Sequence, residues 1–457
     1  MFRPMRPALL AVALAMATTA AWSETLDFRQ CVSQALAQNP DMAVAQAQIG
    51  QAEAAVRQAK ANHLPRLNLS LTGTYTNDAL NAFGLKLSQR NAAFSDFGPI
   101  IPATAPYPSS LDNLNHPDAT TNFNPRVELL VPVYNGGMVT QYVKQAQSYV
   151  RAAQAGDRLA RQQLVKHVLM AYQGVHTARA YIQVAREGVA AAEEYVRITD
   201  RLLKQGMALK SDLLSAQVNL EDVKLKLSEA RNAEATALDQ LHLLLGKSLA
   251  EPLDVGAPVM PVLLDGETEA LRTRALANHS GLQALREQGE GAGAAVEAAR
   301  AGKRPQFNIM LRQDWNADTP GFDAASYTAA GVLTWTAFDG GSSQAGVDRA
   351  ESARIELAAK LRQAADGVAY QVGEAKRRAI EAEEKAAARS LALEQASEAQ
   401  RLVQKRYENG LGTLIELLAA QAQLDKARAD LVAAHYEQAV QRAELKLAVG
   451  VLDANEL

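Results

Sequence analysis

Leu129-Leu130-Val131-Pro132-Val133-Tyr134-Asn135-Gly136-Gly137 returns in altered form as Leu333-Thr334-Trp335-Thr336-Ala337-Phe338-Asp339-Gly340-Gly341. The separation is 333 − 129 = 204 residues. The same offset joins Gln205-Gly206 to Asn409-Gly410, and Leu244-Leu245-Gly246 to Ala448-Val449-Gly450. One offset held from residue 129 to residue 246 marks a duplicated unit, and a repeat governs any reading of the fold.

Upstream the offset changes. Asn39-Pro40 aligns with Asn278-His279-Ser280, and Leu64-Pro65 with Arg304-Pro305, at 304 − 64 = 240. The first copy therefore carries 240 − 204 = 36 extra residues. Composition places them near Asn77–Asn122, where Pro99, Pro102, Pro106, Pro108 and Pro117 fall among Ser and Asn. Such a stretch reads as a long polar loop with no core of its own.

Outward from the repeated turns lie long helical patterns. Gly137–Gln205 contains no proline, and Val168, Val175, Ile182, Val189, Val196 and Leu203 recur every seven residues. Ala171, Ala178, Ala185 and Ala192 sit three positions further on. This is a heptad seam with small residues, which implies supercoiled helices in close approach. The next helix carries Leu213, Leu220, Leu227 and Leu241 with Glu234 interrupting. Its duplicate carries Leu417, Leu424, Leu431 and Leu445 with Gln438 interrupting. A helix over Gly137–Gln205 would be roughly 100 Å long at 1.5 Å per residue. Shorter helices over Pro40–His63 and Ala208–Gly246 would match it end to end. The second copy repeats the set as Ser280–Gly302, Gly341–Glu408 and Leu411–Gly450.

Between the helices stand short segments of period two. Leu67, Leu69, Leu71 and Tyr75 alternate with Asn68, Ser70, Thr72, Thr74 and Thr76. Three more lie near residues 123–134, 306–316 and 327–338. One apolar face over about ten residues is the pattern of outer-membrane strands. Four strands close no barrel, because about eight is the minimum, and an open edge is not tolerated in lipid. The chain is thus expected to associate in a ring. A dimer gives eight strands, and a trimer gives twelve with room for a passage.

The ends and the bulk composition agree with an exported protein. Arg3 and Arg6 precede an apolar run from Ala8 and then small residues before Glu24. Residues 1–23 read as a secretory signal peptide, too short for a membrane anchor. Its removal takes the net charge from −3 to −3 − 2 = −5, which carries no footprint for nucleic acid. Later in the chain no apolar stretch is long enough to form a membrane-spanning helix. The single cysteine, Cys31, makes no internal disulfide. It follows Phe28-Arg29-Gln30 rather than the small residues of a lipidation site, and reads as helix packing. The seven histidines show no metal-ligand spacing and no Gly-rich phosphate loop follows a strand, so no enzyme, catalytic residue, metal or cofactor is expected. A soluble coiled coil or periplasmic adaptor is the alternative of another class. An adaptor would show one hairpin flanked by compact β domains, not two hairpins in register with membrane-type strands.

These features together resemble the TolC-like outer-membrane efflux protein family. The resemblance rests on Asn39-Pro40, on Leu64-Pro65-Arg66-Leu67 and on the two Asx-Gly-Gly turns. It rests also on the tip glycines, followed by Asp212-Leu213-Leu214 and Glu416-Leu417-Leu418. It implies an α+β membrane protein: a homotrimer with a twelve-stranded β-barrel in outer-membrane lipid and a long α-helical coiled-coil barrel in the periplasm. It implies an exit duct that docks a periplasmic adaptor (membrane fusion) protein and an inner-membrane pump. An outer-membrane component of type I protein secretion is the alternative within the class. The resemblance further implies a periplasmic gate at Asp212, Tyr407 and Glu416, with adaptor-docking tips at Gly206 and Gly410. Gly136, Gly137, Gly340 and Gly341 become strand-to-helix turns. The residues themselves equally admit Asp212 as a first-turn acid favoured by the helix dipole, and Tyr407 as seam packing. Some members carry an arginine where this chain has Gly412, so an arginine lock at that point is not expected. The domain reading is a first repeat over 24–246, a linker over 247–266, a second repeat over 267–450 and a tail over 451–457.

Overall fold

A computed structural model describes residues 24–97 and 115–453. The signal-peptide reading of residues 1–23, most of the tail and the centre of the insertion lie outside them. The chain forms two compact units. One takes Met1–Ala45, Asp157–Ser280 and Ala365–Leu457; the other takes Gln46–Gly156 and Gly281–Ala364. Each unit draws on both copies of the repeat, because strands pair across the copies as well as within them.

The first unit begins with β1 (Glu24–Leu26) and α1 (Phe28–Gln38). Asp27 and Gln30 close a capping box, with the Gln30 N–H donating to Asp27 Oδ1 at 2.7 Å and the Asp27 N–H to Gln30 Oε1 at 2.8 Å. This satisfies amides that the first turn leaves without helical partners. Asn39 then links two helices. Its Oδ1 accepts from the N–H of Asp41 at 2.8 Å, at the start of α2 (Pro40–Ala61), and its Nδ2 donates to the Leu244 carbonyl at 3.0 Å. The core gathers Phe28, Cys31, Val32, Leu169, Tyr172, Leu241 and Leu245 from α1, α4 (Met138–Lys204) and α5 (Lys210–Leu245). Cys31 is fully buried, and desolvation pushes its thiol up to about 12, so it packs and does not react.

The linker is a pinned strap. Its β4 (Leu253–Val255) pairs in parallel with β1. Tyr172 Oη donates to the Ala257 carbonyl at 2.9 Å, and Arg179 Nη2 to Asp254 at 2.6 Å. Arg442 Nη1 donates to the Pro261 carbonyl at 2.9 Å while its other nitrogens hold Glu383. The second copy supplies α6 (Thr268–Asn278) and α7 (Ser280–Ala301), followed beyond the strands by α8 (Ser342–Glu408) and α9 (Leu414–Val449). α4 and α8 each contain 67 residues, and α5 and α9 each contain 36.

The second unit holds a four-stranded antiparallel sheet in the order β2 (Arg66–Thr76), β3 (Thr120–Tyr134), β5 (Gln306–Asp314), β6 (Ser326–Thr334). β2 and β3 form the hairpin of the first copy, β5 and β6 that of the second, and β3–β5 joins them with Leu130 opposite Met310. Leu67, Leu69, Leu71, Leu333 and Trp335 stand exposed. β6 ends at Thr334 rather than near Phe338, because its partner β5 begins opposite at Gln306. β5 stops at Asp314, short of Asn316, where Ala317 turns to bridge Phe123.

The insertion differs from its reading as a loop without a core. Residues 79–88 form α3 (Ala79–Ser88), capped by Asp78, and Phe94–Phe97 form a 3-10 turn. Ala82 is fully buried. Lys86 pairs with Asp96 at 2.6 Å, and Gln89 donates to the Thr121 carbonyl at 2.7 Å. The prolines drew attention to the later part of the segment, while Ala79-Leu80-Asn81-Ala82-Phe83 carried enough apolar periodicity for one short helix.

Candidate functional site

The hairpins α4–α5 and α8–α9 end in tips at residues 205–209 and 409–413. Each long helix stops at a left-handed glycine, Gly206 at φ 74° and Gly410 at φ 70°. Glycine adopts this conformation without the strain a Cβ imposes. A Cβ at Gly410 would lie 3.7 Å from Met207 Sδ, so the two tips are neighbours. Met207, Leu209, Leu411 and Ile415 are exposed around them.

Behind the tips lies a small core of Tyr195, Ile198, Leu202, Ala216, Tyr407, Leu414 and Leu417. The seam predicted through Val189, Val196 and Leu203 has rotated, and Tyr195, Ile198 and Leu202 point inward instead. A straight helix drifts by about 20° per heptad against a 3.5 repeat, which moves the buried stripe by one position over such a length.

Tyr407 is buried, and its Oη lies 2.8 Å from Thr199 Oγ1, tying α8 to α4. Burial raises its pKa, and the nearby Asp212 carboxylate adds to the rise. Asp212 makes its own hydrogen bond elsewhere, its Oδ2 accepting the Leu209 N–H at 3.1 Å. Glu416 closes a capping box with Thr413, whose Oγ1 accepts the Glu416 N–H at 3.2 Å. So both acids cap first turns, in accord with the dipole at a helix N-terminus, and Tyr407 alone of the three makes a bond between hairpins. Arg406 approaches from the preceding turn, its Nη2 4.0 Å from Glu416 Oε2 and 3.4 Å from the Leu411 carbonyl. A Cβ at Gly412 would stand 3.3 Å from the Tyr407 nitrogen, leaving little room for the arginine that this position lacks.

A chain of polar contacts runs on from this core. Gln400 Nε2 donates to Tyr195 Oη at 2.6 Å, Tyr195 Oη to Gln421 Oε1 at 2.6 Å, and Gln421 Nε2 to Asp425 Oδ1 at 2.8 Å. Desolvation raises the pKa of Asp425, and Arg428 at 3.8 Å opposes the rise. Asp425 and Gln421 line a cavity of about 510 Å³ with Tyr181, Val184, Val223 and Leu418. Sequence reasoning missed Thr199, Tyr195, Gln400, Gln421 and Asp425. Only the Thr199–Tyr407 pair left a trace, a mismatch between copies in which Thr199 aligns with Val403 and Leu203 with Tyr407, whereas Gln421 aligns with Gln217 and Asp425 with Glu221.

The strand-to-helix turns are built alike but covered differently. Gly136 and Gly137 have φ of 66° and 86°, and Gly340 and Gly341 have 65° and 90°. A Cβ on Gly136 would come within 2.6 Å of the Ala301 carbonyl oxygen, and Arg304 Nη1 donates to the Gly136 carbonyl at 3.0 Å. A Cβ on Gly340 would meet nothing within 4 Å beyond its chain neighbours.

No helix among the described residues is long and apolar enough to cross a membrane. Among those residues no cluster of His, Cys, Asp and Glu is arranged to hold a metal ion.

Comparison with known proteins returns one consistent answer. The model of a family described as "Outer membrane efflux protein" matches residues 31–247 and 271–451. Protein CyaE of Bordetella pertussis is 28% identical over 320 residues, 68% of this chain and 67% of that protein. The alkaline protease secretion protein AprF of Pseudomonas aeruginosa is 25% identical over 65% of this chain and 63% of its own length. The chain thus matches about two thirds of the length of these relatives. The fold agrees with the crystal structure of CusC at a TM-score of 0.76 and 18% identity, covering 95% of each chain.

Proposed function

The chain belongs to the outer membrane efflux protein family, and from that premise we propose that it is the outer-membrane exit duct of a tripartite efflux system. In this reading three copies close twelve strands into a barrel in outer-membrane lipid. The long hairpins then reach through the periplasm toward a periplasmic adaptor and an inner-membrane pump. Membership places the protein among transport channels rather than enzymes. The observation that carries the reading is the four-stranded sheet: apolar side chains are exposed along β2 and β6, and among the described residues neither edge strand has a further partner. Such edges must be paired in lipid, where unpaired amides cost several kcal/mol each.

At the hairpin tips Tyr407 holds the two hairpins of one chain together. Asp212 and Glu416 shape the turns at the constriction, and Gly206 and Gly410 present the tips to the adaptor. In this reading passage is passive and energy comes from the pump. Deleting the gene should sensitise cells to exported compounds and remove a heat-resistant oligomer from the outer-membrane fraction. Recovery of the protein as a soluble monomer in a low-salt wash would sink the proposal. Type I protein secretion is the second reading, favoured by the likeness to AprF, a secretion protein by name. Loss of a secreted polypeptide from the medium of the deletion strain, with unchanged drug sensitivity, would select it.

A further inference from the structure

The cavity of about 510 Å³ has α5 and α9 as walls and α4 as floor. All three stretches belong to one compact unit of a single chain. The lining is mainly apolar, with Val184 from α4, Val223, Ala230 and Ala233 from α5, and Leu418 from α9.

Asp425 stands in this apolar setting. Gln421 Nε2 at 2.8 Å and Arg428 Nη1 at 3.8 Å both approach its Oδ1, and Arg428 is itself held by Glu187 at 3.1 Å. Among the described residues no donor reaches Oδ2. That oxygen faces Gly188, where a Cβ would stand 3.5 Å from it and 3.1 Å from Val223 Cγ1. Glycine weakens a helix interior relative to alanine, and Gly188 has no left-handed φ to account for it. What it provides is open space before a carboxylate oxygen. The duplicate positions are Ala392 and Glu221, so the second copy carries neither the glycine nor the short acid.

We propose that this cavity binds an amphipathic organic monocation, its charge paired with Asp425 Oδ2 and its apolar body laid on Val184, Val223 and Leu418. The sign follows from burial. Lys226, Glu229 and Lys426 also line the cavity, but all three are exposed, and water and salt screen their charges. Asp425 is the charge that the protein has withdrawn from solvent, and desolvation raises its pKa. A carboxylate so placed gains most from a cation that reaches its open oxygen. The volume is that of a small-molecule site. Because α5 belongs to the first hairpin and α9 to the second, the bound cation ties the two hairpins together. It is a resident ligand of the wall rather than cargo in passage. The site lies within one chain and does not rest on the exit-duct reading.

Ethidium, a fluorescent apolar monocation, tests the site on the full-length protein in lipid nanodiscs, with empty nanodiscs as the blank. Binding should saturate at one ethidium per chain and raise the unfolding midpoint, as a ligand of the folded state does. Asp425→Asn keeps an acceptor for Gln421, and should weaken ethidium binding by about tenfold or more because a charge-assisted contact becomes a neutral one. Ala233→Phe, at an exposed wall position, should fill the mouth and abolish binding. Anilinonaphthalene sulfonate, an apolar anion, should bind Asp425→Asn at least as well as wild type. Unchanged ethidium affinity in Asp425→Asn, or no binding beyond the blank, overturns the site. Binding confined to dissociated chains and absent from the assembled oligomer overturns it too. None of these outcomes touches the exit-duct reading, which stands or falls on the oligomer itself.

Discussion

At the scale of single residues, the proposed gate reduces to one hydroxyl pair. Tyr407→Phe removes the 2.8 Å contact with Thr199 and leaves the ring in place. The freed Thr199 hydroxyl has a carbonyl one turn back to bond, so the loss is about 1 kcal/mol. Oligomers should survive, and single-channel conductance in planar bilayers should rise as the tips part more often. Conductance equal to wild type would reduce Tyr407 to packing. Asp425 gives a prediction in pH. Its pKa is raised in the folded state by desolvation. A carboxyl so raised contributes stability below its unfolded pKa and loses that contribution as pH rises through the folded value. Asp425→Asn retains an acceptor for Gln421 and has no charge to bury. Its unfolding midpoint should gain on wild type between the ordinary aspartate range and neutrality. A gain that instead appears on acidification contradicts the assignment. Neither Thr199 nor Asp425 was legible in sequence, because each pairs with a residue more than 200 positions away or borrows its environment from three helices.

At the scale of elements, the reading succeeded where a pattern was long. Helix limits matched within a few residues, because Gly206, Gly246, Gly410 and Gly450 terminate them and proline is absent between. The short α1 and α6 went unread, and so did the β1–β4 pair. Eleven residues carry too few turns for a period, and three-residue strands carry none. α3 was missed for the opposite reason, its helical signal standing beside a run of prolines. The tips are the elements on which the proposed function depends most. Gly206→Trp or Gly410→Trp forces a bulky L-residue into the left-handed region at an intrinsic cost of about 1–2 kcal/mol and crowds the docking surface. Export should vanish while membrane-inserted oligomers remain, measured by drug susceptibility beside native electrophoresis. The strap offers a control at the same scale. Arg442→Ala strips Glu383 of its bidentate partner and the Pro261 carbonyl of its donor. It should lower thermal stability without the tip phenotype, and an export defect at unchanged stability would contradict that division.

At the scale of the whole molecule, a repeated sequence in the proposed ring would produce two kinds of neighbour contact from one design. Within a chain Thr199 of α4 meets Tyr407 of α8, whereas in the proposed ring the corresponding contact between copies would bring together Leu203 and Val403. The double variant Leu203→Tyr with Val403→Thr should write the internal hydrogen bond into the external contact. It should lower conductance below wild type, and a rise would show that the two contacts are not equivalent. The architecture was legible at this scale because the 204 offset is visible in a single sequence. What stayed hidden was which half meets which, since offsets report kinship between residues and not contact. The Arg126–Asp314 pair shows where that history leads. A ring made only of first halves would set Arg126 against Thr74, and a ring of second halves would leave Asp314 facing Ala330, a carboxylate without its cation. Recombination between the two repeats in the gene would shorten the chain to one or the other. Either product loses the complementary partners that divergence placed in separate halves. In the proposed ring the two halves would then serve only together, and loss of either would cost the function of both.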